Sequence, residues 1–140
     1  MLIDKEKLEK FIDQQGVAFV SSIDGEGFPN MKAMLPARKR EGLRVLYFST
    51  NTSSKRAEQY RQNPKASIYF YRKRVWRYQG LMLTGTMEVL EDAAHKEMIW
   101  RKGDKIFYPE GVTDPDYCVF RFTAQAGRYY CNFETESFSV

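Results

Sequence analysis

Short strand-like runs, more than helical periodicity, dominate this sequence. The runs are Val17–Ile23, Pro29 or Asn30 to about Ala37, Leu43–Ser49, Ala66–Tyr71, Tyr78–Leu90, Tyr117–Thr123 and Arg128–Phe133. They are rich in β-branched and aromatic residues, and most end in turn chemistry. Asp24-Gly25-Glu26-Gly27 is a hairpin signal, and Glu41-Gly42 turns the chain into the third run. Ten Phe and nine Tyr supply side chains that suit a half-buried pleated surface. About seven strands with few helices favour an antiparallel barrel over a parallel sheet, which needs a crossover helix at each connection. With 140 residues and no linker, repeat or low-complexity tract, one domain spanning 1–140 is expected.

Three helical segments flank the strands. In Asp4–Gln15, Leu8, Phe11 and Ile12 share a face, and Gly16 ends the helix. A second helix runs from Lys55 to about Gln62 and stops at Asn63-Pro64. A third is expected from Glu91 to about Lys102, with Ala94, Met98 and Trp100 as its apolar contacts. Gly80 and Gly85 mark bulges or close backbone approach in a long fifth strand. Ala124–Gly127 reads as a connection between the last two strands, Phe107–Pro115 as an irregular loop, and the polar tail from Glu134 to Val140 as extended or disordered.

The most informative stretch is Tyr47-Phe48-Ser49-Thr50-Asn51-Thr52-Ser53-Ser54-Lys55-Arg56. It is a strand that ends in a polar turn, and the turn starts a helix. A helix N-terminus carries partial positive charge, so Lys55 and Arg56 in its first turn are poorly placed for a protein alone. Hydroxyl side chains, unpaired amides and two cations converge there. A bound phosphate would turn that liability into an anion site, whereas a capped surface helix would leave both charges solvated.

Other chemistry is sparse. The net charge of +4 is mild, and it fits an anionic ligand as well as it fits nucleic acid. No run approaches the ~20 apolar residues of a membrane span. Met1 to Lys10 is charged, so no signal peptide is expected. Cys118 and Cys131 make no metal motif; they read as reduced, buried thiols of a cytoplasmic chain, with a disulfide between neighbouring strands as the alternative. His95, the only histidine, lies among charged residues and reads as a surface group. It leaves no multi-histidine metal site within one chain and little for a nucleophilic triad. There is no Walker loop and no Gly-x-Gly-x-x-Gly fingerprint, so an enzyme of this sequence would rely on a cofactor for its reactive chemistry.

The order of three stretches carries a resemblance. Gly27-Phe28-Pro29-Asn30-Met31-Lys32-Ala33-Met34, Phe48 to Arg56, and Asn63-Pro64-Lys65-Ala66-Ser67-Ile68-Tyr69-Phe70-Tyr71 together resemble the pyridoxamine 5′-phosphate oxidase-like FMN-binding split barrels. Leu83-Thr84-Gly85-Thr86-Met87-Glu88-Val89 is similar to the family's next strand. Trp100, Tyr108-Pro109-Glu110-Gly111 and Thr113-Asp114-Pro115-Asp116-Tyr117 resemble the general-stress-protein subgroup. The resemblance implies a mainly β chain with flanking helices (α+β), built as an antiparallel split β-barrel of about six or seven strands. It implies a homodimer with FMN at the subunit interface. Lys32, Ala33, Met34 and Leu35 would line the flavin, Ser49, Thr50 and Asn51 would flank the ring and its ribityl chain, and Ser54, Lys55 and Arg56 would bind the phosphate.

The sequence also departs from the name-giving oxidases. Their flavin-contacting glutamine falls at Gly80, one residue after Gln79, and a one-residue shift in a strand reverses the face unless a bulge resets it. Their C-terminal Arg and His that grip substrate have no counterpart before Phe138-Ser139-Val140, so pyridoxamine phosphate is not the expected substrate. The expected function is an FMN-dependent oxidoreductase acting on an unassigned small molecule. Aromatics such as Trp76, Trp100 or Tyr108 either cover the ring from a partner chain or fill the core and interface. A non-catalytic flavin carrier, store or sensor is the alternative. A nucleic-acid-binding barrel would use Arg72–Arg77 around Trp76, but the charge is local. Haem or a deazaflavin in the same barrel is a further alternative, and the lone His95 disfavours histidine-ligated haem.

Overall fold

The structure is a computed structural model that describes residues 3–140; Met1 and Leu2, the start of the segment read as lacking a signal peptide, lie outside the described residues. Among the described residues, eight antiparallel strands form one sheet. In chain order the elements are α1 (Lys5–Asp13), β1 (Ala18–Ile23), β2 (Pro29–Met34), β3 (Lys39–Glu41), β4 (Val45–Asn51), α2 (Lys55–Gln62), β5 (Lys65–Arg74), β6 (Arg77–Leu90), α3 (Ala93–Ile99), β7 (Tyr117–Cys131) and β8 (Glu134–Ser139). Two short 3-10 turns, Lys102–Ile106 and Gly111–Thr113, lie between α3 and β7.

The strands follow the order β2-β1-β5-β6-β7-β4-β3, and β8 also pairs with β7. The branching happens on β7. Its first half, Tyr117–Thr123, pairs with β4, and its second half, Ala126–Cys131, pairs with β8. Ala124–Gly127 is therefore not a connection between two strands. The register between β6 and β7 shifts at Thr84/Gly85, where Thr84 faces Ala126 and Gly85 faces Ala124, so Gln125 is the extra residue of a bulge. β7 bends there and changes neighbour without breaking. Likewise the polar tail is ordered as β8. A tight turn at Asn132 and Phe133, both at positive φ, folds it back onto β7.

Other boundaries differ for local reasons. β2 ends at Met34 because Pro36 follows closely and has no amide to donate. The chain then forms the short strand β3, absent from the sequence reading. α3 is shorter than expected, capped by Asp92, whose side chain accepts from the His95 amide. Its buried positions are Lys96 and Ile99, while Ala94 and Met98 are exposed. Lys96 is held inward because its Nζ donates to the Asp114 carbonyl at 2.9 Å and lies over the Tyr117 ring.

The main core joins Leu8, Phe11 and Ile12 of α1 to Val20, Ile68, Phe70, Leu81, Leu83, Phe120 and Phe122 from the strands. A second cluster of Tyr47, Ile99, Tyr108, Tyr117 and Val119 lies on the other side of β4 and β7, with Trp100 packed against it. Burial on both faces explains why Leu46-Tyr47-Phe48 is a continuous apolar run without alternation. Among the described residues, no helix is long and apolar enough to cross a membrane.

Candidate functional site

β2 and β4 lie at different places in the sheet order, and the N-terminus of α2 meets both. Two adjoining hollows open there. One, of about 340 Å³, is lined by Ser22, Asn30, Met31, Lys32, Asn51, Ser54, Lys55, Arg56 and Gln59. The other, of about 200 Å³, is lined by Ala33, Met34, Leu35, Pro36, Arg38, Ser49, Thr50, Asn51, Arg56, Asp104, Phe107 and Tyr108. The candidates named from sequence all line one or both hollows, and Asn51 and Arg56 are shared by the two. Sequence reasoning missed Ser22, Asn30 and Gln59 at one end and Arg38, Asp104 and Phe107 at the other. Only the convergence of β1, β2, α2 and the first 3-10 turn brings these groups in, and no local motif marks it.

The turn before α2 is held by the chain itself. Asp116 accepts from the Ser53 amide and the Thr52 hydroxyl, both at 3.0 Å, and its backbone oxygen accepts from the Thr52 amide at 2.7 Å. Hydrogen bonding from Ser53, chiefly by its side chain and also by its amide, is the main reason the Asp116 carboxyl titrates below the ordinary range. Ser54 caps α2 by accepting from the Ala57 amide at 3.2 Å. Thr52 and Ser54 therefore already serve the turn. What remains turned toward the hollow is the charge of Lys55 and Arg56, beside first-turn amides that have no intrahelical acceptor.

Arg56 is the decisive group. It is half-buried, and its Nε is a fully buried nitrogen without a partner, the one such side-chain nitrogen or oxygen among the described residues. Burial is the largest influence on it and pulls its pKa below that of a free guanidinium. A desolvated cation without a counter-ion is costly in a protein alone. An anion in the hollow would relieve that cost.

α2 is fastened to β1, which fixes these charges in place. The Tyr60 hydroxyl donates to the Ser21 carbonyl at 2.7 Å, and the buried Ser22 hydroxyl donates to the Gln59 side-chain oxygen. At the far end, Arg38 forms a two-pronged pair with Asp104 and also donates to the Ile99 carbonyl at 3.1 Å. Phe107 and Tyr108 follow the turn that carries Asp104, and burial pushes the Tyr108 phenol up to about 12.

Several residues singled out from sequence lie elsewhere. Gln79 is buried in the interior; its Nε2 donates to the Tyr129 hydroxyl at 2.8 Å, and its oxygen accepts from Arg72 at 2.9 Å. The bulge that could reset its register comes only at Thr84/Gly85. Cys118 and Cys131 are free thiols on the same strand, so the disulfide between neighbouring strands is ruled out. His95 is half-buried, not a free surface group: its ring stacks on Tyr47 and its Nδ1 meets the Asp92 carboxylate at 2.8 Å. It lines neither hollow. No group of metal-ligating side chains occurs among the described residues. Trp76 is 88% exposed at the tip of the β5–β6 hairpin, whereas Trp100 packs on Tyr108 and Tyr117.

Comparison with known proteins identifies the lineage. The family profile described as pyridoxamine 5′-phosphate oxidase matches residues 4–131. The chain belongs to the pyridoxamine 5′-phosphate oxidase family. A crystal structure of a Clostridium acetobutylicum protein related to general stress protein 26 of B. subtilis is similar to it: 37% identity, 99% of this chain and 97% of that chain covered, TM-score 0.85. General stress protein 26 from Bacillus anthracis is similar at 21% identity, covering 97% of this chain and 98% of that one, with a TM-score of 0.76. Within the pyridoxamine 5′-phosphate oxidase family the chain falls in this stress-protein group. A heme binding protein from Mycobacterium smegmatis shares the fold at 15% identity, covering 96% of this chain and 57% of that one, with a TM-score of 0.75. No curated protein matches the chain.

Proposed function

We propose that this chain is an FMN-binding flavoprotein, an oxidoreductase that passes hydride or electrons to a small molecule, working as a homodimer with FMN at the subunit interface. The buried Arg56 Nε without a partner carries the reading: the hollow beside it has the charge, the amides and the size of a phosphate site. Lys55 and Arg56 hold the phosphate in this reading, and the Ser54 hydroxyl, which accepts from the Ala57 amide, keeps its own proton to donate to it. Lys32, Ala33, Met34, Leu35, Ser49, Thr50 and Asn51 face the ring and the ribityl chain. When bound, the flavin supplies redox chemistry that no side-chain constellation among the described residues supplies. The protein's own part is to bind and orient it.

The exposed side of the sheet supports a second copy as partner. Strand pairing lines up Ala33, Phe19, Tyr69 and Met82 in one row, next to Met31 and Leu35, which are 70% and 69% exposed. That face adjoins the hollows, so a partner seated on it would also close them. Flavin is favoured over haem because His95 is engaged with Asp92 and Tyr47 outside both hollows. A non-catalytic flavin carrier uses the same site, and turnover of NADH or NADPH with an electron acceptor separates it from an enzyme.

The test is a visible absorption spectrum of the purified protein, before and after addition of FMN. Flavin bands that co-elute with a dimer, and that disappear in a folded Lys55→Ala/Arg56→Ala variant, are the expected result. A colourless protein that ignores added FMN would overturn the reading.

A further inference from the structure

The second hollow contains a cation whose charge is cancelled within the protein. Arg38 lines that hollow and offers both terminal nitrogens to the Asp104 carboxylate, Nη2 to Oδ1 at 2.6 Å. The two side chains are 14% and 5% exposed. Nη1 also serves the Ile99 carbonyl, and Asp104 also accepts from the Arg101 amide at 2.9 Å, so neither partner is free to turn away. The remaining ionisable groups of the hollow are Tyr108, a neutral phenol near neutrality, and Arg56 at the edge shared with the phosphate hollow. The wall next to Leu35, Pro36 and Phe107 is thus close to electroneutral although it includes an arginine.

From this we infer that Asp104 is a positioning residue that sets the reduction potential of a flavin in this hollow, by holding Arg38 in place and cancelling its charge. The inference rests on the proposed FMN site. An oxidised flavin ring is neutral, and the two-electron reduced ring readily carries negative charge. An uncompensated guanidinium at the wall would favour the reduced form and raise the potential, whereas a neutral ion pair has little effect. The first 3-10 turn, which carries Asp104, therefore tunes the ring from outside the strands that support it.

The experiment measures the midpoint potential of FMN bound to the full chain in four proteins: wild type, Asp104→Asn, Arg38→Met, and the double variant Arg38→Met/Asp104→Leu. The Asn variant leaves Arg38 charged and unopposed, and its potential should rise. A tenfold gain in relative affinity for reduced FMN corresponds to about 30 mV for a two-electron couple. The Met variant leaves the carboxylate and should lower the potential. The double variant removes both charges and should return to the wild-type value. A merely structural role would lower the melting temperature of these variants without producing that order. If Asp104→Asn does not fold, Arg38→Met decides alone. A potential equal to wild type in either single variant, where that variant still holds FMN, overturns the inference and leaves the FMN site standing. Wild-type protein that binds no FMN overturns both.

Discussion

The Tyr69 hydroxyl fills the space in which a side chain at residue 80 would begin, and its ring carbon Cζ is 3.0 Å from that point. Tyr69 pairs with Met82 and stacks on Tyr71, so the phenol reaches diagonally over Gly80. The obstacle is the far end of a movable side chain. Gly80→Ala is therefore expected to cost at most about 1–2 kcal/mol, less when Tyr69 is also changed to Phe. Gly85→Ala differs in kind. A Cβ there would run into the Thr123 carbonyl oxygen and lie 2.8 Å from its carbon, at the bulge that bends β7. Backbone cannot swing aside, so the expected loss is about 3 kcal/mol or more. Urea melts compare the two, and equal midpoints would refute this account of the bulge.

Arg56→Met should separate stability from binding. The wild-type guanidinium is desolvated, with an unpartnered Nε, so an apolar side chain of similar length removes a cost of folding. The apo variant is expected to melt at or above the wild-type temperature. Its affinity for FMN should fall by about 10- to 150-fold, since charge-assisted hydrogen bonds contribute about 1.5–3 kcal/mol. Riboflavin, which lacks the phosphate, should bind both proteins alike. Loss of riboflavin binding in parallel with FMN would place Arg56 at the ring and not at the phosphate.

The Arg38–Asp104 pair gives stability an acid limb. Its hydrogen bonds to Arg38 hold the Asp104 carboxyl below the usual range, against the opposing effect of burial. The folded pKa lies below the unfolded value of about 3.9, so the contribution is complete well above pH 4 and is lost as pH falls through the folded pKa. At pH 6, Asp104→Asn should cost about 3–5 kcal/mol because it leaves a buried guanidinium unopposed. That difference should shrink steadily below pH 4. Urea melts at pH 6, 4 and 3 check it; a difference that does not change with pH would show that the carboxylate charge is not what holds the pair.

Much of this was legible in the sequence because local chemistry matched the global fold. Ser54 and Asn63-Pro64 mark the ends of α2, Asp24–Gly27 makes the first hairpin, and the strand alternation in Ala66–Phe70 survives in the burial of Ala66, Ile68 and Phe70. The hollow was legible where one continuous stretch builds it, Ser49 to Arg56. It was not legible where sequence-distant groups meet: Asp104 is 66 positions from Arg38, and Gln59 is 37 from Ser22. The sequence leaves the tail open between extended and disordered because a polar edge strand lacks an apolar signature; its partner strand, not its own composition, makes it the extended strand β8. α3 was misjudged because Lys96, which is not among its expected inward contacts, is buried by a bond to a carbonyl 18 positions away.

The two cysteines should behave differently although they share a strand. Burial pushes the Cys118 thiol up to about 12, and its side chain is fully enclosed in the main core. At pH 8 a thiol titrating near 12 is about one part in ten thousand thiolate, and the thiolate is the nucleophile. Cys131 is only half-buried, at the β8 end of the same strand. Alkylation of native protein at pH 8 should therefore mark Cys131 alone, with Cys118 labelled only after unfolding in urea. Mild oxidation should leave no intramolecular disulfide, because the two thiols lie toward opposite ends of one extended strand. Peptide mass analysis after a short alkylation pulse reads both outcomes. Early modification of Cys118 would mean that β7 opens between β4 and β6 in the native state, and Ser49 and Thr50, which pair with Val119 and Cys118 of β7, would lose that neighbour.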